Sequence, residues 1–539
     1  MSNAIISPTD KMSKPHTSGT NGQFNDEYDM NAFEKMRKKH YIPRKINYDE
    51  WEDHRPNIAN LPGSCDDEMF DDYIVTTVDV GMVKNAAANA LKILQSKTID
   101  VDIDVTEENC LRELDCVAQQ YAWGKIGSDA LVARLKAAQH EEEKVIDEEA
   151  PYAELWIGTH PNGMSKIALP KGDAMEHVPL VNYVQQNPEM HLGVMGESDP
   201  SEDYDLTFLF KVLSINKVLS IQAHPDKQLA AQLFTDRPDV YKDPNHKPEM
   251  AVALTDDFEA MSGFRPVLEI ASNLLDYPEF TDLIGKCRYD VLEFVANKRG
   301  VDPKPILKNL FHVYMTAKHD HVQKNLDALQ QRLSAKEKPT ELDSLILKLA
   351  AQFPGDSGIF APIIFNHMKL KTGDAFYIGA NEPHAYIQGD ILECMACSDN
   401  VVRAGLTPKL KDVDTLVKML TYKCTKPEIT RGKKKDSCCT LYVPPIDDFA
   451  MEIIEVPAGR EYHLEDVCSP SVILTLDGSG QLKQDWVQNM QVSFGKAAFM
   501  SANTDATVIA DADGPGLKIV RALSNVHLRS RSNSPLNFE

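Results

Sequence analysis

The hydrophobic periodicity of this 539-residue chain changes twice, and no other feature of the sequence restricts its fold more. Residues 206–224 form a strand-like apolar segment, whereas the apolar residues from 267 to about 350 recur at helical spacing. One helical stripe comprises Val322, Leu326, Leu329 and Leu333. Strand character then returns at Ile363. The pattern predicts a mainly β protein that carries a helical domain or insertion.

The part of the chain after 350 is rich in short strands. His384–Gln388 and Ile391–Met395 have the pattern of a hairpin about a Gly389-Asp390 turn. Residues 440–525 alternate short strands with Gly-containing turns, which is the spacing of an all-β sandwich or jelly roll.

The stretch Val218–Lys227 alternates as a strand that enters a turn at Pro225. Its apolar residues face one side, and Ser220, Gln222 and His224 face the other. Gln and His two residues apart on a strand can both reach one metal ion, because their side chains point the same way. A polar strand face is more often simply solvated, so this pair becomes a candidate site only if further ligands complete it.

Two later residues supply suitable ligand types. Glu249 immediately precedes the apolar run Met250–Leu254, and His384 opens the predicted hairpin. One Gln, two His and one carboxylate suit Zn²⁺ with a further position for water or substrate. Each of these residues taken singly is more often a core or surface group, and the pattern alone leaves that interpretation open.

The charge of the chain argues against some classes of partner. A net charge of −24 and a pI near 5.1 disfavour general binding to nucleic acid or to anionic membranes. No apolar run approaches the length of a membrane span, and Met1–Gln23 lacks the apolar core of a secretory signal. The ten cysteines show no disulfide-scaffold spacing. We therefore expect a cytoplasmic monomer with a small-molecule partner.

Several long blocks of the chain resemble, in the same order, the signatures of the type I mannose-6-phosphate isomerase (phosphomannose isomerase) family of the cupin superfamily. The blocks are Thr207–Lys227, Asn245–Leu254, Phe258–Pro266 and Gly389–Lys409. The resemblance covers roughly residues 110–525. It departs from the family at Gln120, where Asn usually precedes the Tyr, and the first hundred or so residues have no clear counterpart.

The resemblance implies a cupin-type double-stranded β-helix (jelly roll) catalytic domain, a helical domain and a second, C-terminal jelly roll. Together with the periodicity it predicts a division of the whole chain into consecutive segments. These are a largely disordered N-terminal extension with a candidate short helix (1–105), the first part of the catalytic domain (106–266), the helical domain (267–350), the second part of the catalytic domain (351–430), the C-terminal jelly roll (431–528) and a loose tail (529–539).

The resemblance also implies a function. It implies an enzyme with one Zn²⁺ per chain that interconverts mannose 6-phosphate and fructose 6-phosphate through a cis-enediol and feeds GDP-mannose synthesis and glycosylation. Carried over by motif, Arg403 is the active-site arginine. The zinc ligands are then Gln222, His224, Glu249 and His384.

An aldose–ketose isomerase needs a base for the carbon proton and groups that hold the oxygen atoms and the phosphate. Glu393 is the leading carboxylate for the base, with a structural ion pair to Arg403 as the alternative. Lys247 is a second candidate, either as a proton carrier or as a ligand of a substrate oxygen. The candidate substrate contacts, each weighed against a solvated or packing role, are Ser220, Lys227 and Trp123.

Two other functions stay open at this point. One is a non-catalytic cupin that binds sugar phosphate or metal in a regulatory role, although such a protein has no need of Arg403 and Glu393. The other is an oxidoreductase with redox-active iron, although iron cupins favour ligand sets richer in histidine.

Overall fold

The computed structural model describes residues 110–139, 145–171, 174–193, 205–297, 301–484 and 488–526. The predicted N-terminal extension and tail lie outside the described residues. The described part of the chain is mainly β and carries one block of helices, as the periodicity predicted. No helix in this part is both long enough and apolar enough to cross a membrane.

The candidate site lies on a sheet to which the described residues contribute ten strands. Its main path runs through Phe365–Leu370, Phe258–Phe264, His384–Ala396, Phe208–Ile215, Glu154–Ile157 and Val117–Gln119. The strands off this path are Ile221–Ala223 with Val402–Gly405, and Glu249–Ala253 with Ala375–Ile378. Every residue of Phe208–Ile215 is buried, which explains why this strand is almost continuously apolar.

The central strand His384–Ala396 is a single strand of 13 residues, so the predicted hairpin about Gly389-Asp390 is wrong. Its first half pairs with Phe258–Phe264, and its second half pairs with Phe208–Ile215. The glycine that suggested a turn lies where the strand changes partners.

A β-bulge marks this change of partners. Gln388 and Tyr386 lie opposite the consecutive residues Glu259 and Ala260, which leaves Ile387 as an extra residue. The next glycine, Gly389, has φ +111°, and a Cβ atom on it would lie 2.7 Å from Phe258 Cα. Glycine is required here because both the backbone conformation and the close approach exclude a side chain.

The predicted helical segment contains a succession of α-helices. They are Val267–Asp276, Pro278–Ile284, Cys287–Asn297, Lys304–Met315, His319–Ser334 and Glu341–Gln352. The apolar stripe read from the sequence is buried along His319–Ser334, so that prediction is confirmed. The last helix begins at a capping box, in which the Thr340 side chain and the Asp343 side chain each accept a hydrogen bond from the other residue's backbone N–H.

A second sheet contains twelve strands of the described residues, and some come from early in the chain. Its main path runs through Lys433–Lys434, Cys439–Tyr442, Ala450–Val456, Leu517–Leu523, Ser471–Gln484, Ala497–Met500, Leu111–Asp115, Lys166–Lys171 and Ala174–Pro179. Glu461–Leu464, Gln488–Ser493 and Ala506–Ala510 pair off this path. The predicted C-terminal jelly roll therefore shares its sheet with Leu111–Asp115, which lies opposite Ala497–Met500.

The two sheets pack against each other through one apolar cluster. Phe208, Phe210 and Val212 contribute to it from the first sheet, and Val472 and Phe499 contribute from the second. Side chains alternate along a strand, so the residues next to Phe208, Phe210 and Val212 point to the other face of the first sheet. We call this face, which points away from the second sheet, the inner face. The inner face is where the polar candidate residues lie.

The remaining elements lie between the strands and helices given above. They are the strand pair Lys125–Ile126 and Pro151–Tyr152, the α-helices Leu131–Gln139, Leu180–Val184, Pro188–Leu192, Lys227–Asp236 and Val413–Met419, and the 3₁₀ helices Gly127–Asp129, Pro161–Gly163 and Ser357–Ile363.

Candidate metal centre and active site

The short strand Ile221–Ala223 lies at the centre of the site. Its outer residues are buried, while Gln222 between them is half-buried. The Gln222 backbone lies opposite His384 on one side and opposite Arg403 on the other. Residues directly opposite each other in antiparallel strands point to the same face. This pairing therefore places a predicted metal ligand and the predicted active-site arginine beside Gln222.

Three of the predicted ligands converge in space. His224, Glu249 and His384 offer ligand atoms that all lie within 4.8 Å of one another, and all three residues are buried. Glu249 lies between the two imidazoles, because its Oε1 is 3.2 Å from His224 Nε2 and its Oε2 is 3.3 Å from His384 Nε2. The described residues contain no other such group of His, Cys, Asp and Glu.

Backbone carbonyls determine which nitrogen of each imidazole faces Glu249. His224 Nδ1 lies 2.6 Å from the carbonyl oxygen of Asn400, and His384 Nδ1 lies 3.1 Å from the carbonyl oxygen of Glu382. A carbonyl only accepts hydrogen bonds, so in both residues Nδ1 carries the proton and Nε2 presents its lone pair. A second hydrogen bond of this kind is how proteins orient histidine ligands of metals.

The charge states of these groups also suit a cation. Burial lowers the pKa of His224 to about 4, so its imidazole is neutral near pH 7. Burial alone would raise the pKa of Glu249, but Lys247 and His224 outweigh it and hold that pKa well below its usual range. The cluster therefore offers the neutral imidazole of His224 and the carboxylate of Glu249.

The buried atoms at the centre of the cluster have no hydrogen-bond partner. These atoms are Nε2 of His224, Nε2 of His384 and Oε2 of Glu249. Buried polar atoms nearly always have a hydrogen-bond partner. Three neighbouring buried atoms without one therefore indicate that a bound ligand interacts with them. Neutral imidazole and carboxylate are ligands of zinc, and these residues therefore fit a Zn²⁺ ion.

Lys247 and Glu393 flank the cluster. Lys247 Nζ lies 3.3 Å from Glu249 Oε1, and its side chain is largely buried. Glu393 pairs with Lys211, whose Nζ lies 3.1 Å from Glu393 Oε2. The predicted alternative partner of Glu393, Arg403, makes no ion pair with it. Burial raises the pKa of Glu393, Lys211 acts against this, and the charge of Glu249 raises it further.

Arg403 is half-buried, and the described residues provide no carboxylate partner for it. Burial lowers its pKa from the usual range. A guanidinium keeps its charge under such conditions and binds anions with two parallel hydrogen bonds. Arg403 is thus available to an anionic ligand at the edge of the metal cluster.

The predicted substrate contacts are placed differently from one another. Ser220 is half-buried and precedes Gln222 by two residues, next to the strand that carries it. Lys227 is exposed at the first residue of its helix. Trp123 is half-buried and packs against the apolar cluster that includes Tyr386. Ser220 therefore directly precedes the strand that carries Gln222, whereas Lys227 lies on the surface.

Sequence reasoning missed three buried residues beside Glu393. Lys211 Nζ also lies 3.3 Å from Glu154 Oε2, and Trp156 donates a hydrogen bond of 2.6 Å from Nε1 to the same oxygen. Lys211 is the one charged residue of the apolar strand Phe208–Ile215. A single charge in a strand that is otherwise apolar was the available signal, since such a residue is buried only when it is paired.

Comparisons with known proteins identify the family to which this chain is similar. Residues 111–267 match the family model described as "Phosphomannose isomerase type I, catalytic domain". Residues 288–365 match the model described as "Phosphomannose isomerase type I, helical insertion domain".

Curated relatives match over nearly their whole length. Mannose-6-phosphate isomerase 1 of Arabidopsis thaliana is 40% identical over 416 residues, which cover 76% of this chain and 93% of the relative. Mannose-6-phosphate isomerase of Candida glabrata is 42% identical over 413 residues, which cover 72% of this chain and 93% of the relative.

Solved structures match in the same way. A zinc-bound mannose 6-phosphate isomerase superposes with a TM-score of 0.64 at 29% identity, covering 77% of this chain and 100% of that chain. A variant of the phosphomannose isomerase from Salmonella typhimurium superposes with a TM-score of 0.64 at 28% identity and the same coverage. The cupin-type catalytic fold with a helical insertion and a second jelly roll is therefore confirmed. By its sequence, its fold and the extent of these matches, the chain belongs to the type I phosphomannose isomerase family.

Proposed function

We propose that this chain is a zinc-dependent aldose–ketose isomerase that interconverts D-mannose 6-phosphate and D-fructose 6-phosphate. The observation that carries the proposal is the buried cluster of His224, Glu249 and His384, whose central atoms lack partners. Gln222 completes the proposed ligand set, because its strand lies directly beside His384. One such cluster among the described residues supports one Zn²⁺ per chain.

Isomerisation moves a proton between C2 and C1 of the open-chain sugar and passes through a cis-enediol. Bound zinc would supply a Lewis acid that polarises substrate oxygens. Arg403 either stabilises the negative charge that develops on the enediolate or binds the phosphate, since its guanidinium has no competing carboxylate among the described residues.

Glu393 takes the carbon proton in this proposal. Its raised pKa brings a carboxylate towards the range in which it can accept and return a proton near neutral pH. Lys247 contacts Glu249 and donates a hydrogen bond to a sugar oxygen or carries a proton there. Glu393 approaches the cluster from the strand His384–Ala396 and Lys247 from the segment just before the strand Glu249–Ala253, so they can serve neighbouring atoms of one substrate.

The remaining substrate contacts are proposed from position. Ser220, which is half-buried two residues before Gln222, hydrogen-bonds the sugar or its phosphate. Trp123 contributes an apolar wall, and Lys227 adds positive charge from the surface.

The wider setting is part of the same proposal. The enzyme acts as a cytosolic monomer whose product feeds GDP-mannose synthesis and protein glycosylation. Buried reduced thiols, such as those of Cys116 and Cys394, suit a reducing compartment.

One assay tests the isomerase against its rivals. The purified chain is incubated with mannose 6-phosphate before chelation, after chelation and after zinc is restored, and fructose 6-phosphate is measured. We expect product to vanish with the chelator and to return with zinc. Binding of the sugar phosphate without any product after zinc is restored would instead identify a regulatory cupin. Recovery of fructose 6-phosphate with iron alone would identify an iron-dependent isomerase and contradict the zinc assignment.

A further inference from the structure

We propose that Lys211 is a positioning residue for proton transfer, which holds the carboxylate of Glu393 in place beside the metal cluster. This inference rests on the proposed isomerase function, because it acts through the proposed base. The contacts that carry it involve buried side chains on three neighbouring strands.

Lys211 is held from several sides. Its Nζ lies 3.1 Å from Glu393 Oε2 and 3.3 Å from Glu154 Oε2, and it lies 5.0 Å from the centre of the Trp156 ring. The Trp156 indole in turn anchors Glu154 with a hydrogen bond of 2.6 Å. A lysine normally retains much rotamer freedom, but these contacts leave Nζ of Lys211 in one position.

The sheet register places Lys211 directly beside Glu393 on the neighbouring strand. Glu393 lies opposite Lys211 in one strand pair and opposite Ala251 in the other. Lys211 in turn lies opposite Trp156. The base therefore has the lysine on one side and, on the other, the strand that begins with the ligand Glu249.

The charges around Glu393 explain why a fixed cation is needed there. Burial, together with the carboxylates of Glu249 and Glu154, raises the pKa of Glu393, and Lys211 and Lys247 lower it. Lys247 contacts Glu249 rather than Glu393, so Lys211 is the cation in direct contact with the base among the described residues. Without it, a buried Glu393 would lie between carboxylates with no ion pair to orient it.

Lys211 itself remains charged in this setting. Burial alone would lower its pKa, but Glu154 and Glu393 outweigh burial and raise it. It is thus a permanent cation that orients the base and does not exchange protons with the substrate.

A double-mutant cycle tests this role. We compare Lys211→Met, Glu393→Gln and the double variant in the zinc-loaded full chain, and measure kcat, KM and zinc content. Lys211→Met should lower kcat by about 10²-fold, with KM and zinc content within about threefold of the parent. Because Lys211 acts through Glu393, the double variant should be within about threefold of Glu393→Gln alone.

A matched control exists in the second sheet. Lys435 also bridges two carboxylates, with Nζ 3.2 Å from Glu452 Oε1 and 3.1 Å from Glu465 Oε2. Lys435→Met should leave kcat within about threefold of the parent, because the ion pair that it removes involves Glu452 of the second sheet and no residue of the candidate site. If Lys211→Met fails to fold by circular dichroism, Lys211→Arg replaces it in the cycle, since arginine keeps the charge but displaces the carboxylate.

The outcomes separate the two levels of the proposal. If the two losses of kcat multiply in the double variant, or if Lys211→Met loses zinc, the positioning role is overturned and the proposed isomerase function is retained. A zinc-loaded parent without turnover removes the isomerase and this role together.

Discussion

His384 and Glu393 lie on one strand, an odd number of residues apart, and yet both side chains point to the inner face of the ten-stranded sheet. His384 Nε2 lies 3.3 Å from Glu249 Oε2. Glu393 lies opposite Ala251, which shares the face of Glu249 two residues earlier. A regular strand would send residues at this spacing to opposite faces. The extra residue at Ile387 reverses the alternation and brings a metal ligand and the proposed base to one site.

The bulge predicts a strong effect of Gly389→Ala. The new Cβ would lie 2.7 Å from Phe258 Cα in a backbone conformation with φ +111°. We expect the free energy of unfolding to fall by about 1–3 kcal/mol and activity to fall with it. Urea unfolding measures the first and the isomerase assay the second. The control is Gly514→Ala, where a Cβ meets nothing within 4 Å. Equal stability of the two variants would contradict the bulge argument.

Removing one imidazole should remove the metal. His224→Ala should release zinc and abolish activity together, since it deletes a buried ligand atom that no other described side chain replaces. Changes outside the ligand set typically weaken metal binding by about 10–100-fold, so loss of a ligand should exceed this. Elemental analysis gives the zinc content per chain. His463→Ala, at an exposed histidine of the second sheet, should keep full occupancy. Zinc retained at parental affinity by His224→Ala would exclude His224 as a ligand.

Arg403 should affect turnover without affecting the metal. Arg403→Ala should lower kcat by about 10²–10³-fold while zinc stays bound, because the residue carries charge beside the cluster without being a ligand. Arg403→Lys should recover only part of the loss, since an ammonium cannot bind an anion with two parallel hydrogen bonds. Steady-state kinetics and zinc analysis together provide the test, with the exposed Arg431→Ala as the control. Normal turnover of Arg403→Ala would remove this residue from the mechanism.

The stability of the chain should fall in mild acid because of His191. This buried residue lies 2.8 Å from Ser501 Oγ through its Nδ1, and burial, together with Arg112, lowers its pKa from 6.5 to about 4. Above pH 6.5 the imidazole is neutral in both states and has no effect. Between pH 6.5 and about 4, His191 is protonated in the unfolded chain but stays neutral in the folded chain. The free energy of unfolding therefore falls by up to about 1.4 kcal/mol for each pH unit of acidification.

Two variants isolate this contribution. Urea unfolding at pH 7.5 and 5.5 should give a smaller difference in His191→Gln than in the parent. His177→Gln, at an exposed histidine, should keep the parental difference. An unchanged pH dependence in His191→Gln would show that other groups cause the acid destabilisation.

Much of the fold was predictable from local pattern. The helical stripe at Val322 and Leu326 and the apolar strand before Gln222 each follow from a period that is visible within one element. The spacing of Gln222 and His224 likewise predicted a shared face. Such patterns are local because each side chain's direction depends on its own backbone.

The candidate site required information that no single element contains. The bulge at Ile387 and the pairing of Glu393 with Lys211 depend on which distant strands lie side by side. The joining of Leu111–Asp115 to the C-terminal sheet has the same origin.

The sequence by itself determined the family, the mainly β architecture with its helical insertion, and the kinds of side chain available for chemistry. Only the tertiary structure decided which of them meet, that His384 and Glu393 share one face, and that Lys211 rather than Arg403 pairs with Glu393. The physical reason is that strand register is set by contacts between residues far apart in the chain, and these contacts stabilise the fold only once the whole sheet has formed.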